Sequence, residues 1–191
     1  MVGLPRMKLL PHAFVELYRW FWLVYPGEAC CNTALRLHFT TPDNRLRELN
    51  VLQPLQKPGL INRHVCHCLD CRKIGSAFYQ SNITVSNSHL KHLRGENNLA
   101  TFEEVKTVRA NASMTNYFCK TCGTLMYRRG ARFPEMTILR TGTVDDPTLA
   151  ETKLRPQVEQ FIERRAAWSV PIEGTAQTVG MHQPSDIAGI P

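Results

Sequence analysis

A mainly β single domain is predicted for this chain, and three observations predict it. Apolar residues alternate with polar ones in Leu35, Leu37 and Phe39 against Arg36, His38 and Thr40, the period of a half-buried strand. The same alternation returns in Val108, Ala110, Ala112 and Met114. Short runs rich in β-branched and aromatic residues, at 78–85, 124–127 and 136–144, are bounded by turn residues. At 191 residues the chain is long enough for one sizeable core and too short for two.

Taken in order, the first candidate element is helical. Phe14, Leu17, Tyr18 and Phe21 fall at i, i+3, i+4 and i+7, one face of an amphipathic helix. Glu16, Arg19 and the following Pro26 argue against both a signal peptide and a membrane span, so residues 1–26 are expected as an appendage docked on the domain. Pro42-Asp43-Asn44, Lys57-Pro58-Gly59 and Gly95-Glu96-Asn97-Asn98 mark turns between strands. Val158, Phe161 and Ile162 fit either one helical turn or an edge strand. Residues 173–191 are polar and rich in Gly and Pro, which predicts a loosely ordered tail. The domain itself is expected over 27–172.

The formal net charge of +7 admits an anionic partner, but Lys and Arg are scattered. Only short pairs occur, Arg72-Lys73, Arg128-Arg129 and Arg164-Arg165, without aromatic interleaving, which argues against a nucleic-acid partner. Seven cysteines form an odd set, clustered rather than spread as in a secreted disulfide scaffold. A reducing compartment, the cytoplasm, follows.

The clusters carry the chemistry. Cys66, Cys68 and Cys71 form C-x-C-x-x-C, and Cys119 and Cys122 form a C-x-x-C knuckle ending in Gly123. Three thiols so spaced close on one tetrahedral zinc and leave its fourth position open, as a catalytic zinc requires, whereas a knuckle supplies two ligands to a closed structural site. A purely structural site, with His64 or His67 in the fourth position, is the competing reading of the triple. Disulfides among Cys66, Cys68 and Cys71 would close strained rings. Zinc held by three thiolates generates hydroxide poorly but suits a sulfur ligand, and a substrate thiol bound there becomes the nucleophilic thiolate. Arg72 and Lys73 either offset the negative charge of such a site, or bind a substrate carboxylate, or form a solvated turn.

These residues resemble a known family. The run Val65-Cys66-His67-Cys68-Leu69-Asp70-Cys71-Arg72-Lys73-Ile74-Gly75-Ser76-Ala77-Phe78 and the run Tyr117-Phe118-Cys119-Lys120-Thr121-Cys122-Gly123-Thr124 are similar to motifs of the glutathione-dependent formaldehyde-activating enzymes, a family that also includes centromere protein V. Gly142-Thr143-Val144-Asp145-Asp146-Pro147 and Trp168 add weaker matches, and the likeness covers roughly residues 27–172.

The resemblance implies a zinc-stabilised β-tent with two zinc sites. It carries the catalytic zinc onto Cys66, Cys68 and Cys71, and the structural zinc onto Cys119 and Cys122 plus an N-terminal C-x-C. There the sequence departs from the pattern, with Cys30 at the first position and Asn32 at the second. Asn is a poor zinc ligand, which leaves three arrangements: three thiolates alone, recruitment of Cys31, or an empty site. The implied activity is that of a zinc-dependent carbon–sulfur lyase in which a small-molecule thiol such as glutathione adds to, or is released from, an aldehyde or other electrophile. The alternatives are a non-enzymatic, zinc-stabilised binding module of the kind associated with nucleic acid or chromatin, and a degenerate member with fewer metals.

Overall fold

A computed structural model describes residues 21–23, 34–37, 59–105, 107, 112–144 and 147–188. Among them the protein is mainly β, with strands β1 (Phe21–Leu23), β2 (Ala34–Leu37), β3 (Leu60–Cys66), β4 (Gln80–Ser86), β5 (Leu90–Arg94), β6 (Leu99–Glu104), β7 (Met114–Cys119), β8 (Leu125–Gly130), β9 (Met136–Arg140), β10 (Val158–Gln160) and β11 (Ala176–Thr178). Two short helices, α1 (Leu69–Ile74) and α2 (Pro147–Glu151), complete the regular structure. No helix among the described residues is long and apolar enough to cross a membrane.

One eight-stranded sheet runs in the order β11-β10-β3-β4-β9-β8-β7-β6, and β1-β2-β5 form a smaller sheet. From β3 through β6 neighbouring strands pair antiparallel. β10 pairs parallel with both β3 and β11, so the chain after α2 crosses back to lie beside β3, one strand in from the edge. The core is built from Leu60, Ile83, Val85, Cys119, Met126, Tyr127, Leu139 and Leu154. Ile83, Val85 and Leu139 are β-branched or branched apolar residues on the central strands β4 and β9, where both flanks of the ladder are paired. At the Gly95 turn, between β5 and β6, the chain adopts a left-handed conformation at φ 76° and enters a 3-10 turn at Glu96–Asn98, as the turn signal predicts.

The structure differs from the sequence reading in several places. Phe21 is the first residue of a strand, paired with Leu37 of β2, rather than the last turn of a helix. Phe14, Leu17 and Tyr18 lie outside the described residues, as do Phe39, the turns at 42–44 and 57–58, and most of the 108–112 alternation. Val158 heads a strand that is interior, not an edge, and all three residues of β10 are buried. The segment 173–191 is no loose tail over its described part, because Ala176–Thr178 pair with β10 and themselves form the edge strand. The Phe161 N–H donates to Gly180 O at 2.8 Å, which ties the segment down a second time. Backbone pairing with β10, which needs no apolar side chains, holds these polar residues.

Candidate metal centre

Cys66 ends β3, Cys68 follows two residues later as the N-cap of α1, and Cys71 sits inside that helix. Local structure brings the three together. The β-region conformation of Cys68, φ −62° and ψ 156°, turns the chain from strand to helix, and its Sγ accepts the Cys71 N–H at 3.4 Å. All three side chains are buried, and their sulfurs lie within 4.8 Å of one another. Zinc–thiolate bonds of about 2.3 Å in a tetrahedron place sulfurs about 3.8 Å apart. The soft donor set and its spacing therefore fit a zinc ion.

Burial and mutual hydrogen bonding split the thiols. Hydrogen bonds with Cys68 and Cys71, together with burial, push the Cys66 thiol well above its ordinary range. At Cys68 the bond with Cys66 pulls down, but the bond with Cys71 and burial outweigh it and push the thiol up to about 12. Cys71 is held well below the ordinary thiol range by bonds from Cys66 and Cys68, which outweigh burial, and by the charges of Arg128 and Arg140.

The two arginines are the functional residues that sequence reasoning missed. Arg128 on β8 and Arg140 on β9 are buried, and the Arg128 Nη1 donates to Cys71 Sγ at 3.5 Å. Its Nη2 donates to Glu104 Oε2 at 2.6 Å, which fixes the guanidinium plane. Arg140 donates to Asn82 Oδ1 on β4 and feels the negative charge of Cys71. Strand alternation was the available signal: Arg128 and Arg129 face opposite ways, and Arg129 lies over the Tyr117 and Tyr127 rings instead. The pair singled out from sequence behaves differently. Arg72 donates to Arg164 O at 3.2 Å and lies 5.4 Å above the Phe78 ring, while Lys73 is exposed.

Neither histidine joins the thiols. His67 Nε2 meets Glu159 Oε2 at 3.0 Å in a buried pair, and His64 Nδ1 meets Asn62 Oδ1 at 2.9 Å. Among the described His, Cys, Asp and Glu residues, only Cys66, Cys68 and Cys71 form a group of three able to hold a metal. Phe161 packs against this group, and it does so from the left-handed region at φ 60°. A non-glycine residue pays about 1–2 kcal/mol for that conformation. The strain redirects the chain between β10 and the following 3-10 turn, Ile162–Arg164.

The knuckle lies elsewhere, on the turn from β7 to β8. The Gly123 N–H donates to Cys119 O at 2.8 Å, and Gly123 takes φ 75°, which explains the glycine after the second cysteine. Cys122 Sγ lies 3.1 Å from Thr124 Oγ1, and Asn98 Nδ2 lies 3.6 Å from Cys119 Sγ. Cys30, Cys31 and Asn32 are outside the described residues.

A scan of protein families matches residues 51–164 to the glutathione-dependent formaldehyde-activating enzyme family. The chain belongs to this family. Both cysteine motifs of this glutathione-dependent formaldehyde-activating family member fall within the matched span. A search of curated proteins gives no match. Among solved structures, the crystal structure of a Rhodobacter sphaeroides protein, a structural genomics target, is 18% identical, with 62% of this chain and 87% of that chain covered at a TM-score of 0.39.

Proposed function

We propose that this family member is a carbon–sulfur lyase of the S-(hydroxymethyl)glutathione synthase type, in which a thiol such as glutathione adds to an aldehyde at Cys66, Cys68 and Cys71. The convergence of three buried thiols carries the reading. Zinc held by these residues would supply a Lewis-acidic position at which a substrate thiol loses its proton near neutral pH. In the addition, a sulfur electron pair forms the new C–S bond and the C=O π pair moves to oxygen. That oxygen takes up a proton in place of the one the thiol gave up, and release runs the same steps backwards.

Arg128 and Arg140 bring two positive charges to the side of Cys71, where negative charge collects as thiols ionise. Held in a buried setting, these guanidiniums act with little solvent screening and need no reorganisation during reaction. Cys119 and Cys122 are proposed as ligands of a second, structural zinc with Cys30, and residues 27–172 as the zinc-binding domain. Grouped thiols are best kept in a reducing compartment, and the cytoplasm is the proposed location.

Elemental analysis of the purified protein, paired with an alkylation assay, tests this. Expected are bound zinc and protection of the thiols by glutathione, with glutathione-dependent consumption of an aldehyde. A protein that binds zinc but neither glutathione nor aldehyde is a zinc-stabilised module rather than an enzyme.

A further inference from the structure

We infer that the exposed aromatic pair Phe78 and Trp168, with Arg72 beside it, is the subsite for an aromatic or extended apolar group on the electrophile. This rests on the reading that thiol and electrophile meet at the three cysteines. Phe78 and Trp168 are 48% and 68% exposed, yet their rings pack edge to face with centroids 4.8 Å apart. Edge-to-face geometry leaves part of each ring open to a third apolar group.

The pair is tethered to the thiols on two sides. Arg72 directly follows Cys71, and its guanidinium lies 5.4 Å from the Phe78 centroid while donating to Arg164 O. Phe161, in the same stretch of chain as Arg164 and Trp168, packs on the three cysteines. The segment from Phe161 to Trp168 thus contacts the thiols at one end and Phe78 at the other. Tyr79, itself 43% exposed, adds a ring 5.6 Å from the His67 ring, between two of the cysteines in sequence.

Exposed large aromatics beside a reactive group are the usual lining of an organic ligand site, and they serve no core here. Formaldehyde has no surface that such rings could contact. A carbonyl compound bearing an aromatic or long apolar substituent does, and the Arg72 cation over Phe78 favours a further π-system in the stack. The structure therefore assigns this face to the part of the substrate that formaldehyde lacks.

Calorimetric titration of the full chain, zinc-loaded, with S-methylglutathione and S-benzylglutathione tests this. Both are adduct mimics without a free thiol. The expected result is roughly tenfold tighter binding of the benzyl compound, a difference of about 1.4 kcal/mol. In Trp168→Ala, and separately in Phe78→Leu, that ratio falls towards one while affinity for the methyl compound is unchanged. Equal affinities in the unaltered protein, or a ratio that survives both substitutions, overturn the subsite and leave the proposed activity standing. Failure of both mimics to bind overturns both. If Trp168→Ala instead shifts the sedimentation coefficient from dimer to monomer with no change in ratio, the rings are a contact between copies and the subsite is wrong.

Discussion

The carboxylate of Glu159 holds the imidazole of His67 at 3.0 Å, a buried contact between β10 and the residue that separates Cys66 from Cys68. The same carboxylate accepts from Arg165 at 3.1 Å and from the Ile172 N–H. One side chain thus joins the thiol loop to the chain segment that follows β10. Glu159→Ala removes the acceptor from His67 and the Ile172 N–H and one of the two acceptors of Arg165, and is expected to cost about 3 kcal/mol of folding stability. Glu159→Gln, which keeps an acceptor oxygen, is expected to cost less. Urea denaturation monitored by fluorescence compares them.

The same residue gives a pH dependence with a defined sign. Burial raises the Glu159 pKa, but hydrogen bonds from Ile172, His67, Arg165 and Gln177 outweigh it and hold the carboxyl below its ordinary value of 4.5. A depressed folded pKa means the ionised group contributes stability that is fully present above the unfolded value and is lost as pH falls through the folded one. Between neutral pH and the region below 4.5, the unaltered protein should therefore lose more stability than Glu159→Gln does. Denaturation curves at successive pH values read the difference.

Arg128 is expected to act on the thiols as well as on the fold, the latter through its buried ion pair with Glu104. Arg128→Met keeps the buried stem while removing the donor 3.5 Å from Cys71 Sγ. Loss of such a supporting partner typically costs about 10–100-fold in metal affinity. Competition for zinc against a chromogenic chelator measures it. Unchanged affinity would assign the arginine to the Glu104 ion pair alone.

The two cysteine groups should separate cleanly. Cys68→Ser is expected to remove about one zinc per chain and abolish turnover with the fold retained, because the site lies at the end of β3 outside the main core. Cys122→Ser, on the β7–β8 turn, is expected to lower the melting temperature while leaving aldehyde-dependent turnover measurable below it. Elemental analysis and thermal denaturation on both variants check the assignment. Cys119→Ser is less informative, because that sulfur also belongs to the apolar core.

Much of the sheet was legible because its signals are local. The β-rich runs at 78–85, 124–127 and 136–144 correspond to β4, β8 and β9, and Leu35 and Leu37 lie on β2. β10 and β11 were not legible in the same way. A three-residue strand carries too little periodicity to separate it from a helical turn, and Ala176, Gln177 and Thr178 have no apolar alternation at all. Their place comes from ladder pairing with residues distant in sequence: Val158 of β10 pairs with His64 of β3, ninety-four positions back, and Ala176 of β11 pairs with Val158, eighteen positions back.

By itself the sequence determined the three-thiol cluster, since two and three residue spacings across a strand end and one helical turn bring Cys66, Cys68 and Cys71 together whatever the rest of the chain does. It equally determined the Gly123 knuckle, whose left-handed glycine is a local requirement. Only the tertiary structure decided which cations face the thiols. Arg72 and Lys73 adjoin Cys71 in sequence, but Arg128 and Arg140, contributed by β8 and β9, are the buried charges that act on it. Charge acts through distance and burial, and both are set by how strands stack rather than by how residues follow one another.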